Sequence, residues 1–132
     1  AASGDLSQIA TMMAMADGCI ELYSGNDDQV LPILSLGGLG VISVLSNVAP
    51  KETHDMVMKF LEGDTKGAAE IQLKAIPLIH ALFSEVNPIP VKTALNLMGR
   101  EAGPLRMPLS EMEEANKEKL AAELKNFGIK LA

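Results

Sequence analysis

Two neighbouring carboxylates, Asp27 and Asp28, are the residues whose type and spacing come closest to a catalytic or metal-binding pair. They follow a short predicted strand that ends at Tyr23, and barrel enzymes place their ligands at the carboxyl ends of strands. Paired carboxylates can exchange protons with a substrate or bind a metal ion. Because a predicted helix follows directly, we favour a simpler role, in which Asn26 or Asp27 caps that helix.

Gly25 and Ile42 are the two candidate substrate-binding residues. Gly25 stands at the end of the first predicted strand, where the absence of a side chain lets the backbone approach a ligand closely. Ile42 lies at the corresponding end of the second predicted strand, so both residues are expected to face the same mouth. The glycine-rich segment 37–40 precedes a strand instead of following one, which excludes a phosphate-binding loop.

The other reactive side chains form no catalytic or metal-binding constellation. His54 and His80 lie on different predicted helices, and neither has a histidine or cysteine at a metal-ligand spacing. We expect His54 to be exposed and His80 to be packed or hydrogen-bonded. The single cysteine, Cys19, is expected to be a small core residue. Since it cannot form an internal disulfide, a reducing compartment is favoured.

Composition excludes several classes of function. The 132 residues carry 17 acidic and 11 basic side chains, a net charge of −6, whereas binding to nucleic-acid phosphates requires positive charge. Three Phe, one Tyr and no Trp provide no stacking surface for bases. Residues 29–50 carry no charge and are long enough for a membrane span, but three glycines interrupt them, so we expect no span.

Hydrophobic patterning and helix signals predict helix, strand, helix, strand and helix in the first half of the chain. Asp5 is expected to cap a helix over residues 6–16, and Pro50 to open the third helix. The strands are predicted over residues 19–23 and 40–44, the second one buried on both faces. Two buried strands joined by a helix predict a parallel pair with a right-handed crossover.

The second half of the chain is predicted to contain helices alone. A helix over residues 65–84 is followed by an extended turn, and Pro90 is expected to open the next helix. Ser110 is expected to cap the last helix, and Gly128 to close it. Two parallel strands leave backbone groups and apolar faces without partners, so they cannot form a stable sheet alone. We therefore expect the C-terminal part of a larger α/β barrel, with further strands placed before residue 1.

Four segments carry a resemblance to a known family. They are, in order, residues 2–5 (ASGD), 23–28 (YSGNDD), 37–44 (GGLGVISV) and 87–92 (NPIPVK). With this spacing, essentially all 132 residues closely resemble the C-terminal half of the dihydrodipicolinate synthases, also called 4-hydroxy-tetrahydrodipicolinate synthases. The NPIPVK segment and the helix after it are the most specific part, and they separate this family from its sialic-acid lyase relatives.

The resemblance implies an α/β fold: the C-terminal part of a (β/α)8 TIM barrel, with the seventh and eighth strands in residues 1–63 and a three-helix region in residues 64–132. It implies a cytoplasmic homotetramer that acts in lysine and diaminopimelate biosynthesis. Such a lyase binds pyruvate as a Schiff base on a lysine, and the enamine attacks aspartate semialdehyde to give 4-hydroxy-tetrahydrodipicolinate. No metal, organic cofactor, membrane or nucleic-acid partner is implied.

In the family, the Schiff-base lysine stands in the segment IKEASG. By this resemblance the position of the lysine is immediately before Ala1, and Ala1 stands where the family usually has Glu. The resemblance therefore implies no catalytic residue in this chain, and it implies the N-terminal half of the same barrel as a partner. It assigns pyruvate contact to Ile42 and places Gly25 at the same mouth. Lys92 follows a proline-rich turn and is expected to be a structural or surface residue.

Two other functions stay open at this point. One is a different pyruvate-dependent aldolase of the N-acetylneuraminate lyase superfamily, which substrate tests would distinguish. The other is a catalytically inactive half-barrel that serves as an assembly unit, which the presence or absence of the N-terminal half would distinguish.

Overall fold

The computed structural model describes all 132 residues, Ala1–Ala132, as six α-helices and a two-stranded sheet. The elements are α1 (Leu6–Ala16), β1 (Tyr23–Ser24), α2 (Val30–Ser35), β2 (Gly40–Val41), α3 (Pro50–Leu61), α4 (Thr65–Leu82), α5 (Ile89–Leu97) and α6 (Glu114–Phe127). Single 3-10 turns cover Asp27–Gln29 and Leu45–Asn47. None of the helices combines the length and apolar character needed to cross a bilayer.

The two strands pair in parallel, with Tyr23 opposite Gly40 and Ser24 opposite Val41, as predicted. Both are shorter than the predicted strands. Residues 19–22 lie outside β1. The N–H of Cys19 donates to Ala16 and continues the turn that ends α1, and Leu22 joins the ladder only through its carbonyl, which accepts from the N–H of Leu39 (2.8 Å). After Val41 one more ladder bond forms, and the chain then enters a 3-10 turn. A strand extends only as far as its backbone pairs with another strand. The local sequence pattern does not indicate where that pairing ends.

Helix α1 begins and ends where the sequence predicts. The Asp5 carboxylate accepts hydrogen bonds from the backbone N–H groups of Ser7 (2.9 Å) and Gln8 (3.0 Å), and Asp17 ends the helix in a left-handed conformation. Cys19 is exposed, so the prediction that it belongs to the core is wrong. It follows the helix end too closely to reach the core, since the turn to Ala16 holds it at the surface.

By contact density the chain divides into two compact units. The first contains Ala1–Ser43 and Lys51–Leu73, and the second contains Val44–Pro50 and Lys74–Ala132. The boundary predicted after residue 63 separates a barrel part from a helical region. That boundary stays a prediction, because a division into compact units does not show where the barrel part ends and the helical region begins.

The first unit has two small apolar cores, one on each side of α2. Ile33 is buried against Ile9 and Leu22 on one side. Val30 and Leu34, one helical turn apart, are buried with Met56 of α3 on the other side. We call this second group the Met56 cluster: Val30, Leu34 and Met56. Helix α2 therefore contributes buried side chains to both cores.

The second unit has one larger core, formed by the last part of α4 together with α5 and α6. Its fully buried members are Leu45, Ala75, Leu78, Leu82, Ala94, Leu120 and Leu124, of which Leu45 lies in a 3-10 turn. His80 of α4 is exposed, so the prediction of a packed or hydrogen-bonded His80 is wrong, whereas His54 is exposed as predicted. The core side of α4 is taken by aliphatic side chains.

The start of α5 agrees with the prediction, and the start of α6 differs from it. Helix α5 begins at Ile89, one residue before Pro90, which occupies the first turn. Helix α6 begins at Glu114, so Ser110 does not cap it. A distant side chain holds this helix start instead, because Glu85 accepts hydrogen bonds from the N–H of Glu113 (3.0 Å) and the amide of Asn116 (2.9 Å). Gly128 closes α6 in a left-handed conformation, as predicted.

Candidate functional site

Ala1 lies beside the carboxyl ends of β1 and β2 at one edge of the small sheet. The N–H of Gly25 donates to the carbonyl of Ala1 (2.6 Å), and the N–H of Ile42 donates to the carbonyl of Ser24 (2.8 Å). The N–H of Ala1 also donates to Tyr23, so Ala1 pairs with β1 on the side away from β2. We call Ala1, Gly25 and Ile42 the strand-end row. The two predicted substrate-binding residues are thus brought together.

Ile42 is an exposed apolar side chain at the end of this row. It is 74% exposed, while the preceding Val41 packs against the Met56 cluster. Because side chains alternate along a strand, Ile42 faces away from the helices that cover Val41. The expectation that this strand is buried on both faces is therefore wrong for these 132 residues. No element of the chain covers the face that Ile42 presents.

Gly25 is required by the chain itself, whatever it does for a ligand. A Cβ atom added at Gly25 would lie 2.8 Å from the Cβ of Ala2 and 3.0 Å from the carbonyl oxygen of Ala1. The sequence predicts a close approach to this glycine. In the structure, the segment that precedes α1 makes such an approach. Contact of Gly25 with a ligand stays a prediction.

Gly25→Ala should displace the strand-end row, whereas Gly40→Ala should be tolerated. At Gly40 an added Cβ would meet only the Tyr23 ring, at an ordinary contact distance of 3.5 Å. We expect Gly25→Ala to cost about 1–3 kcal/mol, which is typical of overpacking, and Gly40→Ala to cost less. Thermal unfolding of the two variants measures the difference. Equal melting temperatures would contradict the steric reason given for Gly25.

Ser24 holds the turn that leaves β1, although it was not among the predicted site residues. Its side chain is buried, and its hydroxyl donates to the carbonyl of Asn26 (2.8 Å) while accepting from the N–H of the same residue (3.2 Å). A serine immediately before Gly-Asn at a strand end is a signal for such a turn. Ser24 thereby fixes the backbone on both sides of Gly25.

The acidic pair does not form a symmetrical site. Asp27 is buried and Asp28 is exposed, so the two carboxylates have different surroundings. The turn has Asn26 at its N-cap without a side-chain hydrogen bond, so the expectation that Asn26 caps it is wrong. No group of three or more His, Cys, Asp or Glu side chains is placed to hold a metal ion.

No lysine lies in the strand-end row. All nine stand on α3 to α6 or after Gly128, and they are Lys51, Lys59, Lys66, Lys74, Lys92, Lys117, Lys119, Lys125 and Lys130. The Lys92 ammonium donates to the carbonyl of Pro104 (2.6 Å), as befits the structural role predicted for it. A covalent site for a carbonyl substrate on a lysine at this row thus needs a lysine from elsewhere.

Known proteins resemble this chain over nearly its whole length. A family model, the dihydrodipicolinate synthetase family, matches residues 1–127. The 4-hydroxy-tetrahydrodipicolinate synthase of Lachnoclostridium phytofermentans is 59% identical over 97% of this chain, which covers 44% of that protein. The solved structure of dihydrodipicolinate synthase from Thermotoga maritima matches with a TM-score of 0.93 at 42% identity, covering 98% of this chain and 45% of that one.

A solved monomeric dihydrodipicolinate synthase variant matches with a TM-score of 0.91 at 41% identity, over 98% of this chain and 44% of that chain. The chain thus spans less than half the length of these relatives, and it corresponds to their C-terminal half. The fold class predicted from the four segments is confirmed: this is the C-terminal part of a TIM barrel. From its sequence and its fold, the chain belongs to the dihydrodipicolinate synthetase family.

Proposed function

We propose that this chain is the C-terminal part of a Schiff-base lyase that condenses pyruvate with aspartate semialdehyde to 4-hydroxy-tetrahydrodipicolinate, in lysine and diaminopimelate biosynthesis. The observation that carries the proposal is the strand-end row: an exposed isoleucine and a crowded glycine lie at adjacent strand ends, where barrel enzymes bind substrates. The high identity to a 4-hydroxy-tetrahydrodipicolinate synthase supports the choice of reaction.

In this reaction the chain provides the wall of the pyruvate site, and the N-terminal half provides the amine. Imine formation on a lysine turns the pyruvate methyl group into a carbon acid, and loss of its proton gives the enamine nucleophile. Ile42 offers an apolar surface to the bound pyruvate and helps to exclude water from the enamine. Gly25 fixes the neighbouring strand end through its hydrogen bond to Ala1. The imine itself withdraws electrons, so the proposal includes no metal or organic cofactor.

The proposed partner is the N-terminal half of the same barrel. Strand β2 has β1 on one side and no strand on the other, and the side chain of Ile42 is uncovered. Further parallel strands would pair with this edge and cover this face. Assembly of complete barrels into a homotetramer is part of the proposal, although the monomeric variant among the relatives indicates that the fold alone does not require it. A cytoplasmic location agrees with the exposed free thiol of Cys19.

The isolated chain should associate with itself, and the N-terminal half of a family member should prevent this. An open strand edge and an uncovered apolar face favour contact between copies. Size-exclusion chromatography of the chain alone is expected to give heterogeneous species, and the mixture is expected to give one compact species. A monodisperse, cooperatively unfolding monomer of the chain alone would contradict the proposed partner.

A comparison of substrates tests the reaction. We expect the complete enzyme to consume pyruvate with aspartate semialdehyde and to release the heterocyclic product, which mass spectrometry detects. Under the same conditions N-acetylmannosamine should give no product. Turnover of N-acetylmannosamine instead would place the enzyme with the sialic-acid lyases. A well-folded complete barrel that forms no imine with pyruvate would favour an assembly unit without catalytic activity.

A further inference from the structure

Gln72 is a buried polar residue that has no assigned role in the proposed reaction. It stands on α4 in the first unit, and it is only 5% exposed. The preceding Ile71 packs against the Met56 cluster, so the helix face here is apolar. Burial of an amide next to aliphatic side chains is unfavourable unless its donor and acceptor groups find partners. The partners of Gln72 therefore indicate why an amide is present at this position.

Both ends of the Gln72 amide bind the backbone of the segment that follows β1. The Nε2 group donates to the carbonyl of Asp27 (2.9 Å), and Oε1 accepts from the N–H of Leu31 at 3.4 Å. Asp27 lies in the turn before α2, and Leu31 lies in the first turn of α2. A single side chain thus ties this turn and this helix start to α4.

The same turn is bonded to the strand-end row. Asn26 directly precedes Asp27, and its carbonyl accepts from the N–H of Gln29 (3.2 Å) and from the Ser24 hydroxyl (2.8 Å). Gly25 stands between Ser24 and Asn26, and its N–H is bonded to Ala1 (2.6 Å). A displacement of the Asp27 carbonyl would therefore pass through two residues of a constrained turn to Gly25.

We propose that Gln72 is a positioning residue for the pyruvate site. By holding the carbonyl of Asp27 it fixes Gly25, and through Gly25 it fixes the backbone of Ala1. Its side chain is buried and both of its amide groups bond backbone atoms, so it acts through the backbone and not by touching substrate. The kinetic consequence of this inference rests on the proposed function, whereas the structural consequence does not.

Hydrogen exchange in the complete enzyme tests the structural part. Gln72→Met keeps the length and most of the volume of the side chain but removes both hydrogen-bonding groups. We expect the amide proton of Gly25 to exchange about tenfold faster, because the turn that presents it opens more often. Asn116→Leu is the matched control, since it removes an amide hydrogen bond to Glu85 in the second unit. Native exchange at Gly25 in Gln72→Met would overturn the inference.

Steady-state kinetics, normalised to folded protein, test the positioning role. Gly25 carries no reacting atom, so its displacement should weaken pyruvate binding equally in the ground and transition states. Gln72→Met should therefore lower kcat/KM for pyruvate by about tenfold, mainly through a higher KM. Asn116→Leu should lower the melting temperature without changing kcat or KM. Native kinetics in folded Gln72→Met would overturn the inference.

If Gln72→Met fails to fold, Gln72→Asn is measured in the same two ways. It keeps the amide but is one methylene too short to reach both partners, so we expect changes of the same direction. Native exchange and native kinetics in Gln72→Asn would again overturn the inference. If the unaltered enzyme does not condense pyruvate with aspartate semialdehyde, the proposed function fails, and hydrogen exchange at Gly25 still decides the role of Gln72.

Discussion

The isolated 132-residue chain, with its Ala1 amine acetylated, is expected to form no covalent adduct with pyruvate under borohydride reduction. An imine requires a neutral amine held next to the ketone, and no lysine of this chain lies in the strand-end row. Hydrogen bonds from Lys51 to Asp55 and from Lys59 to Asp64 raise the pKa of both lysines, which keeps these amines protonated. Intact-mass spectrometry after reduction should therefore show an unchanged mass.

The matched experiment adds the N-terminal half of a family member to the same reaction. The adduct should then appear, and peptide mapping should locate it on the added half. Lys92→Arg serves as a control within this chain, because Lys92 already donates to the carbonyl of Pro104. An adduct on Lys92, or on any other lysine of this chain, would contradict the proposed division of the active site.

Ile42→Ala should weaken pyruvate binding in the complete enzyme. The side chain is 74% exposed in this chain and points away from the helices, so we expect it to contact the substrate and the remaining strands. Loss of a few methylene-sized contacts in an apolar pocket typically changes binding about tenfold or more. We therefore expect the pyruvate KM to rise about tenfold. Turnover is normalised to the amount of folded protein.

Val41→Ala is the control for a loss of packing. Val41 adjoins Ile42 but packs against the Met56 cluster, so its truncation removes core contacts on the opposite face of the strand. It should lower thermal stability and leave the pyruvate KM of the folded enzyme unchanged. If Ile42→Ala and Val41→Ala have the same pyruvate KM, Ile42 is a packing residue.

Local signals in the sequence predicted the helices well. Asp5, Pro50 and Gly128 each mark a helix end through their own side chain or backbone, and each lies where the sequence indicates. The parallel pairing of the strands was also predictable, because a helix joins them. These features depend on residues close in sequence.

The features that could not be predicted depend on residues far apart in sequence. The start of α6 is set by Glu85, 28 residues before Glu113. The local sequence pattern indicates only Ser110 as the cap of this helix. In the sequence Gln72 is an ordinary polar residue of a helix. Its role depends on a hydrogen bond from its amide to the carbonyl of Asp27, 45 positions earlier. The extent of β1 and β2 was overestimated, because a strand ends where its pairing ends.

The candidate site was predictable mainly from the family resemblance. Ile42 and Gly25 came from strand ends and from similar motifs, and the structure places them in adjacent positions. Ser24 and the steric need for Gly25 were missed, because they depend on how close the backbone of Ala1 and Ala2 comes to the turn.

The central claim is that this chain completes a dihydrodipicolinate synthase barrel. The most direct test measures condensation of pyruvate with aspartate semialdehyde by a purified N-terminal half of a family member, with and without this chain. We expect the heterocyclic product only when both parts are present, at a rate that saturates with added chain. A folded complex of the two parts that binds pyruvate as an imine but yields no heterocyclic product would contradict the claim.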